Sequence, residues 1–390
     1  MTRSVVVSAK RTPFGKLGGA LHKVAATELG AHAIRHTLKA VDQNPAQVDE
    51  VIFGMVVQAG AGQIPSRQAA MAAGLGQEVP STTVNKVCAS SLHAVNLADA
   101  WIRLGERQVV VAGGMESMSQ APYLVPGARF GYRMGDGKLI DSVVTDGLWC
   151  SFGQVHMGVY GSQVAAEFGC SRPDQDAFAL RSHQLAAQAT GRGVLAEEIA
   201  AIELKDGQVV AQDEAIRPDT SIERLAKLAP VFDKDGTVTA GNAPGLNDGA
   251  SALLLMSEAR ALAEGKRPLA RILASGQASD HPRLLATVPA QAAAVALRKL
   301  GMAAKDVDLW EINEAFASVT LISQRRLGID LDRVNPNGGA IALGHPIGAS
   351  GGRILLTLIY ELRRRGGGIG VAAICSGGGQ GEATVVEVMA

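Results

Sequence analysis

The run Val5-Val6-Val7 predicts a buried strand, and Thr27 to Ala40 predicts a helix with Leu29, Ala33, Ile34 and Leu38 on its apolar positions. Val48-Asp49-Glu50-Val51-Ile52-Phe53-Gly54 reads as the next strand. The same phrase returns late in the chain. Gln291 to Leu300 is again an Ala/Leu helix, and Val307-Asp308-Leu309-Trp310-Glu311-Ile312 is again a strand opening on Val-Asp. Val84-Asn85 and Val334-Asn335 form a further pair. Each is followed by a small-residue turn, a helix and a buried strand, Gln108 to Ala112 in the first half and Ile369 to Ile374 in the second. Two halves with one order of elements predict an internally duplicated α/β unit.

Between roughly Ser119 and Asn247 the pattern changes. Gly127, Gly131, Gly135, Asp136 and Gly137 punctuate a turn-rich stretch that carries Arg129, Arg133 and Lys138. A helix follows from Asp174 to Thr190, with Ser171 as N-cap and Pro173 in the first turn. A hairpin-like stretch from Ile202 to Val210 turns at Asp206-Gly207. An excursion of this length between compact halves is expected to serve as a lid or binding loop, or as an oligomerisation arm.

Composition narrows the classes of function. Of 390 residues 47% are hydrophobic, which is ample for a large core, and 37 Lys+Arg against 37 Asp+Glu cancel. Beyond Arg363-Arg364-Arg365 no basic cluster is visible, so nucleic acid is not an expected partner. No apolar run reaches the ~18 residues of a membrane span. The N-terminus enters a strand-like run at once and lacks a signal-peptide pattern, so the expected compartment is the cytoplasm. The four cysteines, Cys88, Cys150, Cys170 and Cys375, form no C-x-x-C pair. Free thiols are therefore expected, without a metal site.

Four stretches carry candidate chemistry. Val84-Asn85-Lys86-Val87-Cys88-Ala89-Ser90-Ser91 precedes a helix whose Ala94, Leu97, Trp101 and Leu104 share one face. Cys88 then falls where a turn meets a helix N-terminus, a setting that favours the thiolate. A small buried hydrophobe is the other reading of that cysteine. His345 lies in Gly344-His345-Pro346-Ile347-Gly348, ahead of a helix with Ile354, Leu355, Leu358, Ile359 and Leu362 inward. Its following proline fixes an extended backbone, and the dense glycine suits close approach of a ligand or of another backbone. Cys375-Ser376-Gly377-Gly378-Gly379 ends a strand and offers backbone N–H groups suited to an oxyanion hole. Neither the P-loop nor the dinucleotide fingerprint fits that spacing. Asn313, in Asn313-Glu314-Ala315-Phe316, follows the second-half strand and is placed to hold a water or a carbonyl.

Together these stretches, from Ser8-Ala9-Lys10-Arg11-Thr12-Pro13-Phe14-Gly15 to the C-terminus, resemble the thiolase family. Asp146-Gly147-Leu148, His156-Met157-Gly158 and the loop Arg133-Met134-Gly135-Asp136 are similar to its biosynthetic, acetoacetyl-CoA branch. The resemblance implies an α/β thiolase fold: two halves with mixed five-stranded sheets in an α-β-α-β-α stack, plus an inserted loop domain. The halves would be residues 1–118 with 248–268, and 269–390. The insert, residues 119–247, would bind coenzyme A and serve as the oligomerisation arm. The implied reaction is reversible Claisen condensation of two acetyl-CoA through an acyl-cysteine, with no cofactor beyond the coenzyme A thioesters. Cys88 would take the acyl group, His345 its proton, and Cys375 the α-proton of the second acetyl-CoA. The backbone N–H groups of Cys88 and Gly377 would form one oxyanion hole, and His345 with a water on Asn313 the other.

The implied coenzyme A groove comprises Leu148, His156, Met157, Arg217, Phe232, Ala240, Pro244, Leu246, Ala315 and Phe316. Arg217 suits the nucleotide phosphates or stacking on adenine. Pro244 and Arg224 stand where the family usually has Ser, and Trp149-Cys150 where it has smaller polar residues, which bears on coenzyme A affinity and acyl preference. The implied partners are acetyl-CoA and 3-ketoacyl-CoA, in a homodimer or homotetramer serving fatty acid metabolism. A degradative 3-ketoacyl-CoA thiolase of broader chain length is the alternative enzyme. A non-catalytic coenzyme A-binding paralogue would have no need of Cys88, His345, Cys375 and Asn313 together.

Overall fold

The computed structural model describes residues 2–389. Five strands of the first half, β1 (Ser4–Arg11), β2 (Glu50–Gly54), β3 (Ser81–Val84), β4 (Val109–Ser117) and β5 (Asn247–Ser257), lie in the order β3-β2-β4-β5-β1. Four of the second half, β6 (Ala270–Ser279), β7 (Leu309–Ile312), β8 (Gly368–Ser376) and β9 (Gln380–Val388), lie in the order β6-β9-β8-β7. Val334 adds a single parallel bridge to Trp310, where the first half pairs β3 with β2. The orders match element for element. Pairing agrees too: β2 with β4 and β7 with β8 are parallel, and β5 with β4 and β9 with β8 antiparallel. Among the described residues the two sheets pair at Val5 opposite Arg271 and Val6 opposite Ala270, so the hydrogen-bonded path runs on from one half to the other.

Helices α1 (Ala26–Lys39), α2 (Pro65–Ala72), α3 (Ser90–Leu104), α4 (Met157–Glu167), α5 (Arg172–Gly191), α6 (Val288–Lys299), α7 (Ala317–Leu327) and α8 (Ser350–Arg364) complete the main elements. Successive strand residues point to opposite faces, so the unbroken apolar runs serve two cores. Val5 and Val7 pack with α1 and α2, whereas Val6 and Ala9 pack with α3 and α8. The second core also takes in Ile374, Val386 and Val388, so α3 and α8 lie between the two sheets. Helix α6 covers the far face of the second sheet with Ala292 and Ala296 against Val371 and Val385. The layers are α-β-α-β-α.

The expected inner face of α8 is buried throughout. That of α3 differs: Leu104 is 75% exposed, and Leu92, Val95, Ala98 and Ile102 are fully buried. A helix held between two sheets buries more than one stripe, so spacing alone does not select the face. The segment from Met118 to Asn247 carries α4 and α5 and the short hairpin Ile202–Glu203 with Val209–Val210. Buried Arg11 pins it to β1, with Nε 2.7 Å from Glu198 Oε1 and Nη1 2.7 Å from Asp213 Oδ1.

Candidate functional site

Cys88 sits between β3 and α3, in a turn whose Val87 has φ +42. A β-branched residue there is strained and persists only where its surroundings dictate it. The Val87 N–H donates to Asn85 Oδ1 at 3.0 Å, and Ser90 Oγ donates to Val87 O at 2.6 Å. The Ser376 hydroxyl donates to Lys86 O, tying the Cys88 turn to the end of β8, where Cys375 stands. After Cys375 the chain reverses through Gly378 and Gly379, both at positive φ, into β9.

His345 is carried by the loop before α8. Its N–H donates to Asn247 Oδ1 at 2.8 Å. Its Nδ1 lies 2.6 Å from Ser350 Oγ, which itself donates to Pro346 O at 2.8 Å. The serine's one hydrogen is thereby committed, so Nδ1 carries the proton and Nε2 keeps its lone pair. Nε2 is buried and has no protein partner. The loop presses on the first sheet at Gly348, whose N–H donates to Glu116 Oε2 at 3.0 Å. A Cβ at Gly114 would lie 2.0 Å from the Gly348 carbonyl oxygen, so only glycine lets strand and loop approach this closely.

Electrostatics follow from burial. The Cys88 thiol is pushed up to about 12 by burial, and the Glu116 charge adds to the rise. The backbone N–H groups of Cys88 and Gly377 oppose the shift by donating toward its sulfur. The helix-terminus argument from sequence favours the thiolate, yet burial outweighs it, and α3 starts only at Ser90. Cys375 is raised well above its ordinary value by burial and then by Cys88. His345 is lowered to about 3 by burial and then by Arg353. At neutral pH the site therefore holds two thiols and a neutral imidazole with an open Nε2.

Cys88, His345, Cys375 and Gly377 line one cavity of about 430 Å³. All ten expected groove residues line it too: Leu148 and His156 before α4, Met157 at its first position, Arg217, Phe232, Ala240, Pro244 and Leu246 from the insert's second part, and Ala315 and Phe316 before α7. The His156 ring stacks on Phe232 at 3.9 Å and 10°. The Arg217 N–H donates to Nδ1 of buried His183 at 3.1 Å. Asn313 is absent from the lining; it is fully buried just after β7, its Oδ1 3.5 Å from Arg353 Nη2 and its Nδ2 without a partner. Arg224 is also outside, exposed and paired with Asp219 at 2.5 Å. Trp149 and Cys150 line a neighbouring recess of about 530 Å³, which shares Val87, Gly147, Met157 and Gly377 with the cavity.

Residues 4–259 match the thiolase N-terminal domain, and residues 266–388 match the thiolase C-terminal domain. The chain belongs to the thiolase family. It is 48% identical to an acetyl-CoA acetyltransferase of Cupriavidus necator over 99% of this chain and 100% of that one. An acetyl-CoA acetyltransferase of Pseudomonas aeruginosa is 50% identical over 97% and 98% of the two chains. A Staphylococcus epidermidis protein named "Probable acetyl-CoA acyltransferase" is 46% identical over 99% of each.

Sequence reasoning missed several residues of this thiolase site. Met118 and Ile347 line the cavity and pack with Val56, Val57 and Val143 beside Cys88. Glu116 is fully buried and accepts from Val56 N, Val57 N and Gly348 N at 3.0, 3.1 and 3.0 Å. Burial raises it to about 7. A carboxylate ending the apolar run Val109 to Met115 was the available signal for Glu116. Arg353, among the apolar residues of α8, gave another of the same kind.

Proposed function

We propose that this thiolase is an acetyl-CoA acetyltransferase that condenses two acetyl-CoA to acetoacetyl-CoA and free coenzyme A, and runs the reverse thiolysis. The observation that carries this reading is the meeting of two thiols and an imidazole with an open Nε2 in one cavity. A hydrolase would need only one of the thiols. Nε2 of His345 takes the proton of Cys88 as its sulfur attacks the acetyl-CoA carbonyl. The tetrahedral oxyanion is met by the N–H groups of Cys88 and Gly377. The C–S bond to coenzyme A breaks, and the departing thiolate takes the proton from His345.

In the second half, Cys375 passes its thiol proton to Nε2 of His345 and, as thiolate, removes the α-proton of a new acetyl-CoA. The enolate oxygen is held by the Nε2–H of His345 and by a water on Asn313. The α-carbon attacks the acetyl-Cys88 carbonyl, the bond to Cys88 sulfur breaks, that sulfur takes the proton from His345, and acetoacetyl-CoA leaves. In this reading Arg217 meets the nucleotide phosphates, the His156–Phe232 stack flanks the pantetheine arm, and Pro244 withholds the hydroxyl that a serine would offer. Residues 1–118 with 248–268 and residues 269–390 form the thiolase halves, with 119–247 as the coenzyme A-binding and oligomerisation insert of a homotetramer. The four unpaired cysteines fit a reducing, cytoplasmic setting, and no described helix is long and apolar enough to cross a membrane.

The recess beside Gly377 favours a second reading, a degradative thiolase that accommodates longer acyl chains. Thiolysis of 3-ketoacyl-CoA substrates of increasing length decides. A maximum at acetoacetyl-CoA supports the acetyltransferase, and a maximum at longer chains the alternative. Peptide mass mapping after incubation with acetyl-CoA should place the acetyl group on Cys88, and acetyl found only on Cys375 would reverse the roles.

A further inference from the structure

We propose that Arg353 is a positioning residue for the enolate-forming half-reaction, holding the Asn313 carboxamide by its oxygen so that the NH₂ end is left as the donor. The inference rests on the acetyl-transfer reading above. A carboxamide is nearly symmetric in shape, and its two ends differ only in which accepts and which donates. A guanidinium has five N–H donors and no acceptor. Arg353 Nη2 stands 3.5 Å from Asn313, so only the amide oxygen can face it. The far end is then the NH₂ group, buried and without a partner, where a water held between it and the enolate oxygen can accept. An amide turned the other way would present an oxygen to a developing anion and repel it.

The arginine is held in turn. Its Nη1 is 3.2 Å from Glu311 Oε2, and Arg353, Glu311 and Asn313 are all fully buried. The Asn313 N–H donates to Ala373 O at 2.9 Å, which ties the amide to the strand that bears Cys375. Arg353 lies in the first turn of α8, directly after the His345 loop, and its charge also helps keep that imidazole neutral. A buried ion pair is weak support for stability by itself, so the fork's second arm onto Asn313 is the feature that asks for a role.

Arg353→Lys keeps the charge but loses the fork, so the ammonium cannot hold Glu311 and Asn313 together. With wild type run alongside, the expected loss in kcat for acetoacetyl-CoA thiolysis is about 10- to 100-fold. KM and the exchange of label between acetyl-CoA and coenzyme A should stay within about threefold, because acyl transfer uses the N–H pair at Cys88 and Gly377. In an Asn313→Ala background the same change should add nothing further. Equal loss in both half-reactions, additive loss in the double variant, or unchanged kcat would each overturn the role. Asn313→Asp gives a reading that leaves the arginine untouched. One oxygen stays on Arg353 and the other meets the bridging water, which must then donate to the carboxylate, so thiolysis should fall below that of Asn313→Ala. Activity at or above that of Asn313→Ala overturns the proposal. A wild-type chain inert in both half-reactions overturns the acetyl-transfer reading, and this inference with it; an active wild type with an indifferent Arg353→Lys overturns this inference alone.

Discussion

Two thiols in one cavity, Cys88 half-buried and Cys375 buried, are useful only if they divide the labour. Cys88→Ala should abolish both acyl-enzyme formation and label exchange. Cys375→Ala should still acylate Cys88 while losing condensation by 10²-fold or more, about 3 kcal/mol of transition-state stabilisation. Parallel loss of both partial reactions in the two variants would refute the assignment. His183 sets a second test at this scale. Its Nδ1 accepts the Arg217 N–H, and burial followed by the Arg217 charge lowers it to about 4. The unfolded chain binds a proton there below about 6.5, and the folded chain resists it. Unfolding is therefore favoured as pH falls from 6.5 towards 4, by about 1.4 kcal/mol per unit from this one group. His183→Gln lacks that liability. Between pH 7.5 and 4.5 its stability relative to wild type should improve by about 2–3 kcal/mol in denaturant unfolding. A constant offset would show that His183 protonates freely in the native state.

At the scale of elements, the loop bearing His345 is placed by a strand glycine. Gly114→Ala sets a methyl 2.0 Å from the Gly348 oxygen and 2.8 Å from Ser91 Cβ, so the loop or the start of α3 must give way. The expected cost is about 1–3 kcal/mol in stability and at least tenfold in kcat, with KM for acetyl-CoA little changed. Wild-type kcat with lowered melting temperature would show that the loop tolerates the shift. Pro244 bears instead on binding. Pro244→Ser restores a hydroxyl towards the pantetheine arm and should lower KM for acetyl-CoA about threefold to tenfold at constant kcat. A raised KM would mean that the proline acts by stiffening the loop. The strands, the repeated Val-Asp phrase and the inner face of α8 were legible because apolar runs and single-sided helices leave periodic traces. The buried stripe of α3 was not, because two sheets compete for it. Cys88, His345 and Cys375 stood out through the glycines and turns around them. Glu116 and Arg353 are fully buried outside the cavity lining, and a sequence records such residues only as charges out of place in apolar surroundings.

For the whole molecule, the layer formed by α3 and α8 belongs to both halves, while among the described residues the sheets pair through Val5–Arg271 and Val6–Ala270. Residues 1–265 and 266–390 expressed apart should each expose one side of that layer and aggregate. Co-expressed, they should assemble and regain thiolysis activity. Two fragments that are monomeric, soluble and cooperatively folded on their own would show that the shared layer is dispensable. The same architecture sets an order of events during synthesis. Strand β1 is made first, but its neighbours are β5, where Ser4 pairs with Ser257, and β6, which begins at Ala270. At roughly 5–20 residues per second, some 12–50 s of translation pass before either partner leaves the ribosome. Through that interval Val5, Val6 and Val7 have no strand to pair with, so the nascent chain depends on chaperones, or on local collapse around α1, to keep its first strand available for the last stage of folding.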